Sequence, residues 1–118
     1  MSDTRRMDVI KRDDTDFELT FKDVDGNPID ITGATVFFTV KINKTDADDD
    51  AVITKEIDDF EEPETGVALL SLTKDDTDIP VKAYYFDVQL KDSQEKIMSS
   101  YAGRFIVLQD VTIRTDIS

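Results

Sequence analysis

The sequence predicts an all-β protein, a single immunoglobulin-like antiparallel β-sandwich of about 7–9 strands spanning residues 1–118. Three observations carry this expectation. Apolar and polar residues alternate at period two over several stretches, which is the spacing of a half-buried strand. Turn-forming Gly, Pro and Asp punctuate those stretches at intervals of roughly 8–12 residues. No window longer than about two turns places apolar residues at i, i+3, i+4 and i+7, as an amphipathic helix requires.

Taken in order, the first strand candidate is short, over 8–11, and contains Val9 and Ile10. The second, over 17–22, alternates strictly: Phe17, Leu19 and Phe21 on one face, Glu18, Thr20 and Lys22 on the other. The third, over 35–43, turns Val36, Phe38, Val40 and Ile42 inward and Thr39 and Lys41 outward. Shorter candidates follow at 52–57 and 66–72. Over 84–91, Phe86, Val88 and Leu90 oppose Tyr85, Asp87 and Gln89, and two last strands are expected at 96–101 and 104–108. All are rich in the Val, Ile, Thr, Phe and Tyr that fit a pleated surface.

The breaks between them have a chemistry of their own. Asp25-Gly26-Asn27-Pro28 is a turn in which Gly26 is free to take positive φ and Pro28 fixes the exit. Ile31-Thr32-Gly33-Ala34 is a second break, and Lys91-Asp92-Ser93-Gln94 reads as a hairpin connection. The stretch 73–79 is expected to hold one helical turn, with Thr73 as N-cap and Asp75 and Asp76 near the positive end of the dipole.

Composition removes many function classes. The chain has 27 acidic and 14 basic residues, a net charge of −13, and no His, Cys or Trp. There is no thiol nucleophile, thiolate zinc site or disulfide framework, and no Ser-His or Cys-His pair. Binding nucleic acid by phosphate neutralisation needs an excess of Lys and Arg that is missing here, so no nucleic-acid partner is expected. No G-x-S-x-G, S-x-x-K, H-E-x-x-H or phosphate-cradling Gly-rich loop occurs. The chain is therefore read as a non-enzyme, with no catalytic, cofactor-binding or metal residue assigned. No stretch approaches the roughly 20 apolar residues that cross a bilayer, so no membrane partner is expected.

The acids are 21 Asp and only 6 Glu. Glu suits helices and disordered tails, whereas Asp bonds its own backbone in turns and caps, so most of the charge reads as turn chemistry. Three sharper readings compete with it: calcium binding, mimicry of nucleic acid, and adaptation to high salt. Asp46-Ala47-Asp48-Asp49-Asp50 offers several carboxylates to calcium, although the spacing of an EF-hand is absent. Mimicry of a DNA phosphate track is disfavoured because the acids cluster in loops.

Three ordered segments carry a resemblance. Asp25-Gly26-Asn27-Pro28-Ile29-Asp30-Ile31-Thr32-Gly33-Ala34-Thr35-Val36-Phe37-Phe38 is followed by Ile79-Pro80-Val81-Lys82-Ala83-Tyr84-Tyr85-Phe86-Asp87-Val88-Gln89-Leu90-Lys91-Asp92, and then by Gly103-Arg104-Phe105-Ile106-Val107-Leu108-Gln109-Asp110-Val111-Thr112. Together they resemble the N-terminal domain of the baseplate upper protein family of siphophages and prophages. The match covers roughly Asp16 to Thr112 and departs from the usual pattern at Lys82-Ala83, where a Gly is typical. Family members usually continue into long fibre-like regions, and this sequence stops at Ser118. The resemblance implies an immunoglobulin-like sandwich that docks onto a symmetric virion assembly, with no active site.

The expected function is accordingly that of a non-enzymatic bacteriophage virion structural protein, most simply a tail or baseplate component. The alternatives are a capsid decoration protein of the same fold and a host-surface carbohydrate-binding adhesin module. The expected partners are other virion proteins and further copies of the chain, in a virion assembled in the bacterial host cytoplasm. No cofactor is expected. Residues 1–6, with Arg5 and Arg6, and residues 113–118 are read as short terminal arms that either fray or pair with an open sheet edge of a neighbour.

Overall fold

The structure, a computed structural model, describes residues 5–43 and 51–109. Seven strands lie among the described residues: β1 (Arg5–Ile10), β2 (Thr15–Thr20), β3 (Thr35–Lys41), β4 (Ile53–Ile57), β5 (Val67–Leu72), β6 (Ala83–Lys91) and β7 (Ile97–Leu108). A 3₁₀ turn, Pro63–Thr65, precedes β5. The protein is all-β. Five strands form one sheet in the order β1-β7-β6-β3-β4, and β2 and β5 form a second sheet.

Period-two patterning translates directly into burial. Along β3, Val36, Phe38 and Val40 are buried and their neighbours are half-buried. The small sheet turns Leu19, Ala68, Leu70 and Leu72 inward, and these share one hydrophobic cluster with Phe86, Val88, Leu90, Phe105 and Val107 of the large sheet. Phe38 is wholly buried, with the Phe86 and Phe105 ring centroids 5.8 and 6.1 Å away. Each such side chain contributes roughly 1.5–3 kcal/mol by leaving water.

The expectation of a purely antiparallel fold is corrected by β1. It pairs with β7 in parallel, from Arg5 opposite Gly103 to Ile10 opposite Leu108, so the large sheet is mixed. Alternation assigns faces, not neighbours; hairpins force antiparallel pairing only between strands joined by a tight turn, and β1 and β7 are not so joined. The two last strands expected are also one, a continuous β7 of twelve residues. Gly103, in the gap between those two candidates, lies within the ladder opposite Phe86. Ile42, expected inward, lies beyond the end of β3 and is 42% exposed.

The strand expected at 17–22 is shifted toward its start, because its last residues enter a hairpin. The Phe21 N–H donates to Gly66 O (2.8 Å) while its carbonyl accepts from Ile29 N–H (3.0 Å), and Lys22 bridges Pro28. Gly66 has φ +74°, and a Cβ there would meet Phe21 O at 2.6 Å. Only glycine fits this crossing. Arg5 and Arg6, read as part of an arm, are the first two residues of β1. Residues 1–4 and 113–118 lie outside the described residues.

Candidate functional site

Aspartate organises the connections. Asp23 Oδ1 accepts the N–H groups of Asp25 (2.9 Å) and Asn27 (3.0 Å). Asp30 Oδ1 accepts both the N–H (3.0 Å) and the hydroxyl (2.6 Å) of Thr32. Asp92 Oδ1 accepts the N–H groups of Gln94 (2.8 Å) and Lys96 (2.9 Å). The hydroxyl bond from Thr32, followed by its N–H, holds the Asp30 carboxyl below its ordinary range. The Lys96 and Gln94 amides do the same for Asp92. The D-x-D-G fragment at Asp23 is thus a turn whose first carboxylate is committed to backbone donors. The candidate calcium segment Asp46-Ala47-Asp48-Asp49-Asp50 lies outside the described residues.

At one end of the molecule, two connections are tied together. The Thr73 hydroxyl accepts from Asp76 N–H (3.2 Å), while the Asp76 carboxylate accepts from Thr73 N–H (2.8 Å) and from the Thr73 hydroxyl (3.1 Å). This reciprocal cap closes a single turn, with Thr77 N–H donating to Thr73 O (3.1 Å), and the chain does not continue as a helix. The buried Thr77 hydroxyl donates to Asp13 O (2.9 Å), and Asp14 accepts from Lys74 N–H (2.7 Å). Lys11 donates to Ile79 O (3.1 Å), Arg12 reaches Asp78 (3.3 Å), and Lys55 pairs with Asp76 at 2.7 Å. Burial alone would raise the Asp76 carboxyl, but the Lys55 ammonium and the Thr73 donors outweigh it and hold it low.

The surface away from these turns presents strand edges and hollows. Because Phe21 N–H faces Gly66, the alternate groups of the ladder face the other way: the N–H and C=O of Asp16, Glu18 and Thr20 point away from β5. Among the described residues no strand lies against that edge. A hollow of about 420 Å³ runs beside it, floored by Met7, Phe17, Leu19, Phe86 and Tyr101. A second, of about 370 Å³, continues past Thr20, Phe21 and Lys22 to Ser99 and again Tyr101. Thr20 and Tyr101 belong to both, so the two form one trough along β2 from Phe17 to Lys22. The Tyr101 ring stands 6.1 Å from Phe21 and 6.4 Å from Phe86. A wider groove of about 890 Å³ lies on the outer face of the small sheet, where Glu18, Asp59, Glu61 and Glu62 surround Phe60, Val67 and Leu69.

The aromatic residues are mostly committed to the fold. Tyr84 is buried and donates from its hydroxyl to Pro80 O at 2.6 Å. Tyr85 is half-buried, with the Arg104 guanidinium 5.9 Å from its ring centroid. Among the described residues no three acidic side chains converge as a metal site would need, and no helix is long and apolar enough to cross a membrane. What the sequence could not show was the β2 edge, since periodicity does not say which strand lacks a neighbour. No family model and no curated protein matches the chain.

Proposed function

We propose that the protein is a non-enzymatic structural component of a bacteriophage virion, a tail or baseplate subunit that assembles symmetrically with other virion proteins and with copies of itself. The observation that carries this reading is the placement of the three resemblance segments in the structure. The first spans the β2–β3 connection, with its two left-handed glycines, Gly26 (φ +86°) and Gly33 (φ +77°), and runs into β3. The second contains the Tyr84–Pro80 bond and all of β6, and the third begins at Gly103 within β7.

Within this reading the finer fold is an immunoglobulin-like sandwich. Two features support it: the strand order β1-β7-β6-β3-β4 facing β2-β5, and a buried tyrosine at the start of the penultimate strand bonding a backbone carbonyl a few residues upstream. Assembly by surfaces is supported by the β2 edge, which no strand covers among the described residues, and by the hollows beside it. An adhesin would need exposed aromatic platforms, and Tyr84 is buried while Tyr85 and Tyr101 are half-buried.

Mass spectrometry of purified phage particles, with heads and tails separated, tests the proposal. The protein is expected in the tail fraction. Recovery with heads selects the capsid-decoration alternative, and absence from particles refutes the virion reading.

A further inference from the structure

We infer that the trough along β2 is an acceptor for a β-strand donated by a second copy of this chain, the donor being the segment 111–117. The inference rests on the multi-copy assembly of the proposed function and names its contact.

The acceptor is built from two independent features. The outward N–H and C=O groups of Asp16, Glu18 and Thr20 offer a row of backbone partners with no described strand against them. Beside that row the trough has an apolar floor, including Phe17, Leu19, Phe86 and Tyr101. A strand laid there would satisfy the backbone row and turn every second side chain onto the floor. From Phe17 to Lys22 is six residues, or about 20 Å of extended chain.

The donor follows from pattern and charge. Among the segments outside the described residues, 1–4 reads Met-Ser-Asp-Thr and 44–50 reads Lys-Thr-Asp-Ala-Asp-Asp-Asp, and neither alternates. As an extended strand the segment 111–117 would place Val111, Ile113, Thr115 and Ile117 on one face and Thr112, Arg114 and Asp116 on the other. Laid in the trough with its apolar face down, it sets Arg114 and Asp116 on the same outer face as Asp16 and Glu18, so Arg114 faces carboxylates of opposite charge while Asp116 adds one of like charge. The chain leaves β7 at Leu108, whose carbonyl accepts from Lys11 N–H (2.9 Å) at the entrance to the connection between β1 and β2. That connection is tied down by Thr77 and by Lys11, Arg12 and Asp14. Donation to a neighbour, not to the same copy, follows from the multi-copy assembly of the proposed function.

The test uses the full chain. Size-exclusion light scattering is expected to give a mass of about twice the chain or more. Thr20→Pro removes an outward N–H that β5 does not use, and Ile113→Asp spoils the donor face; each is expected to reduce the mass to that of one chain. Mixing the two variants is expected to restore pairs, since one contributes an intact donor and the other an intact acceptor. Hydrogen exchange of the unaltered chain provides a readout that no folding defect can confound. The Glu18 and Thr20 amides are expected to exchange about tenfold or more slowly in the assembled state than after dilution. A single-chain mass for the unaltered protein, assembly that survives both variants, or fast exchange at Glu18 and Thr20 at all concentrations overturns the inference. Slow exchange at those amides in a single-chain species also overturns it, by showing that the strand pairs within its own copy. Finding the protein in particles while it is a single chain in solution sinks the exchange and leaves the virion reading standing. Strand exchange by a protein absent from particles does the reverse.

Discussion

The Tyr84 hydroxyl donates a 2.6 Å hydrogen bond to the carbonyl of Pro80, four residues upstream, while its ring is buried where β6 begins. The bond fixes the loop before β6 to the start of the central strand pair. Tyr84→Phe keeps the ring and loses the bond, and is expected to cost about 1 kcal/mol in urea denaturation with an unchanged m-value. Burial also raises the phenol above its ordinary value of 10.0. A raised folded value means that the stability is complete below about pH 10 and is lost as pH rises from there through the folded value. Denaturation between about pH 9 and 11 is therefore expected to show a steeper loss in the unaltered protein than in Tyr84→Phe.

The aspartate turns predict the opposite limb of the pH profile. Asp30 and Asp92 are held below the ordinary carboxyl value of 3.8 by the donors of Thr32 and of Lys96 and Gln94. Their contribution is present above that value and is lost as pH falls through the depressed folded values. Asp92→Ala is expected to lower the melting temperature at neutral pH and to flatten the acid limb of the curve. An acid limb identical to that of the unaltered protein would show that the turn bonds carry no linkage.

Asp76 closes the cap on Thr73 and pairs with Lys55 at 2.7 Å. Asp76→Ala is expected to cost about 1 kcal/mol, most of it from the cap and little from the partly exposed ion pair. In a double-mutant cycle with Lys55→Ala, the coupling should fall well below the cost of Asp76→Ala itself.

Glycine positions separate strain from collision. Gly26 has φ +86° and no atom within 4 Å of where a Cβ would stand, whereas a Cβ at Gly66 would press on the carbonyls of Phe21 and Ile29 at 2.6 and 2.9 Å. Gly26→Ala is expected to cost about 1 kcal/mol and Gly66→Ala roughly 3 kcal/mol or more, read from chemical denaturation.

In the core, the Phe38 ring lies near Phe86 of the adjacent β6 and Phe105 of β7. Phe38→Ala is expected to cost about 3–5 kcal/mol and to leave a chain largely unfolded at physiological temperature, seen as loss of near-ultraviolet circular dichroism.

Much of this architecture was legible in the sequence where two signals agreed. Alternation bounded by turn residues located β3 and β6 to within about two residues, and the excess of Asp over Glu pointed to turn chemistry of the kind that Asp23 and Asp92 supply. The gap expected between 101 and 104 is not a break: Gly103 sits within β7 opposite Phe86. The parallel course of β1 and the β2 edge, against which no described strand lies, were not legible. Both are properties of which strands become neighbours, and a local pattern of faces says nothing about that.

The parallel pairing of β1 with β7 also decides how the molecule bears load. The chain enters the described fold at Arg5 and leaves β7 at Leu108, and these residues lie at opposite ends of one ladder of six register pairs. Tension applied across them pulls the two strands lengthwise past each other, so the ladder resists in shear and its bonds share the force. Had the strands been antiparallel, the same pull would have peeled them apart one bond at a time.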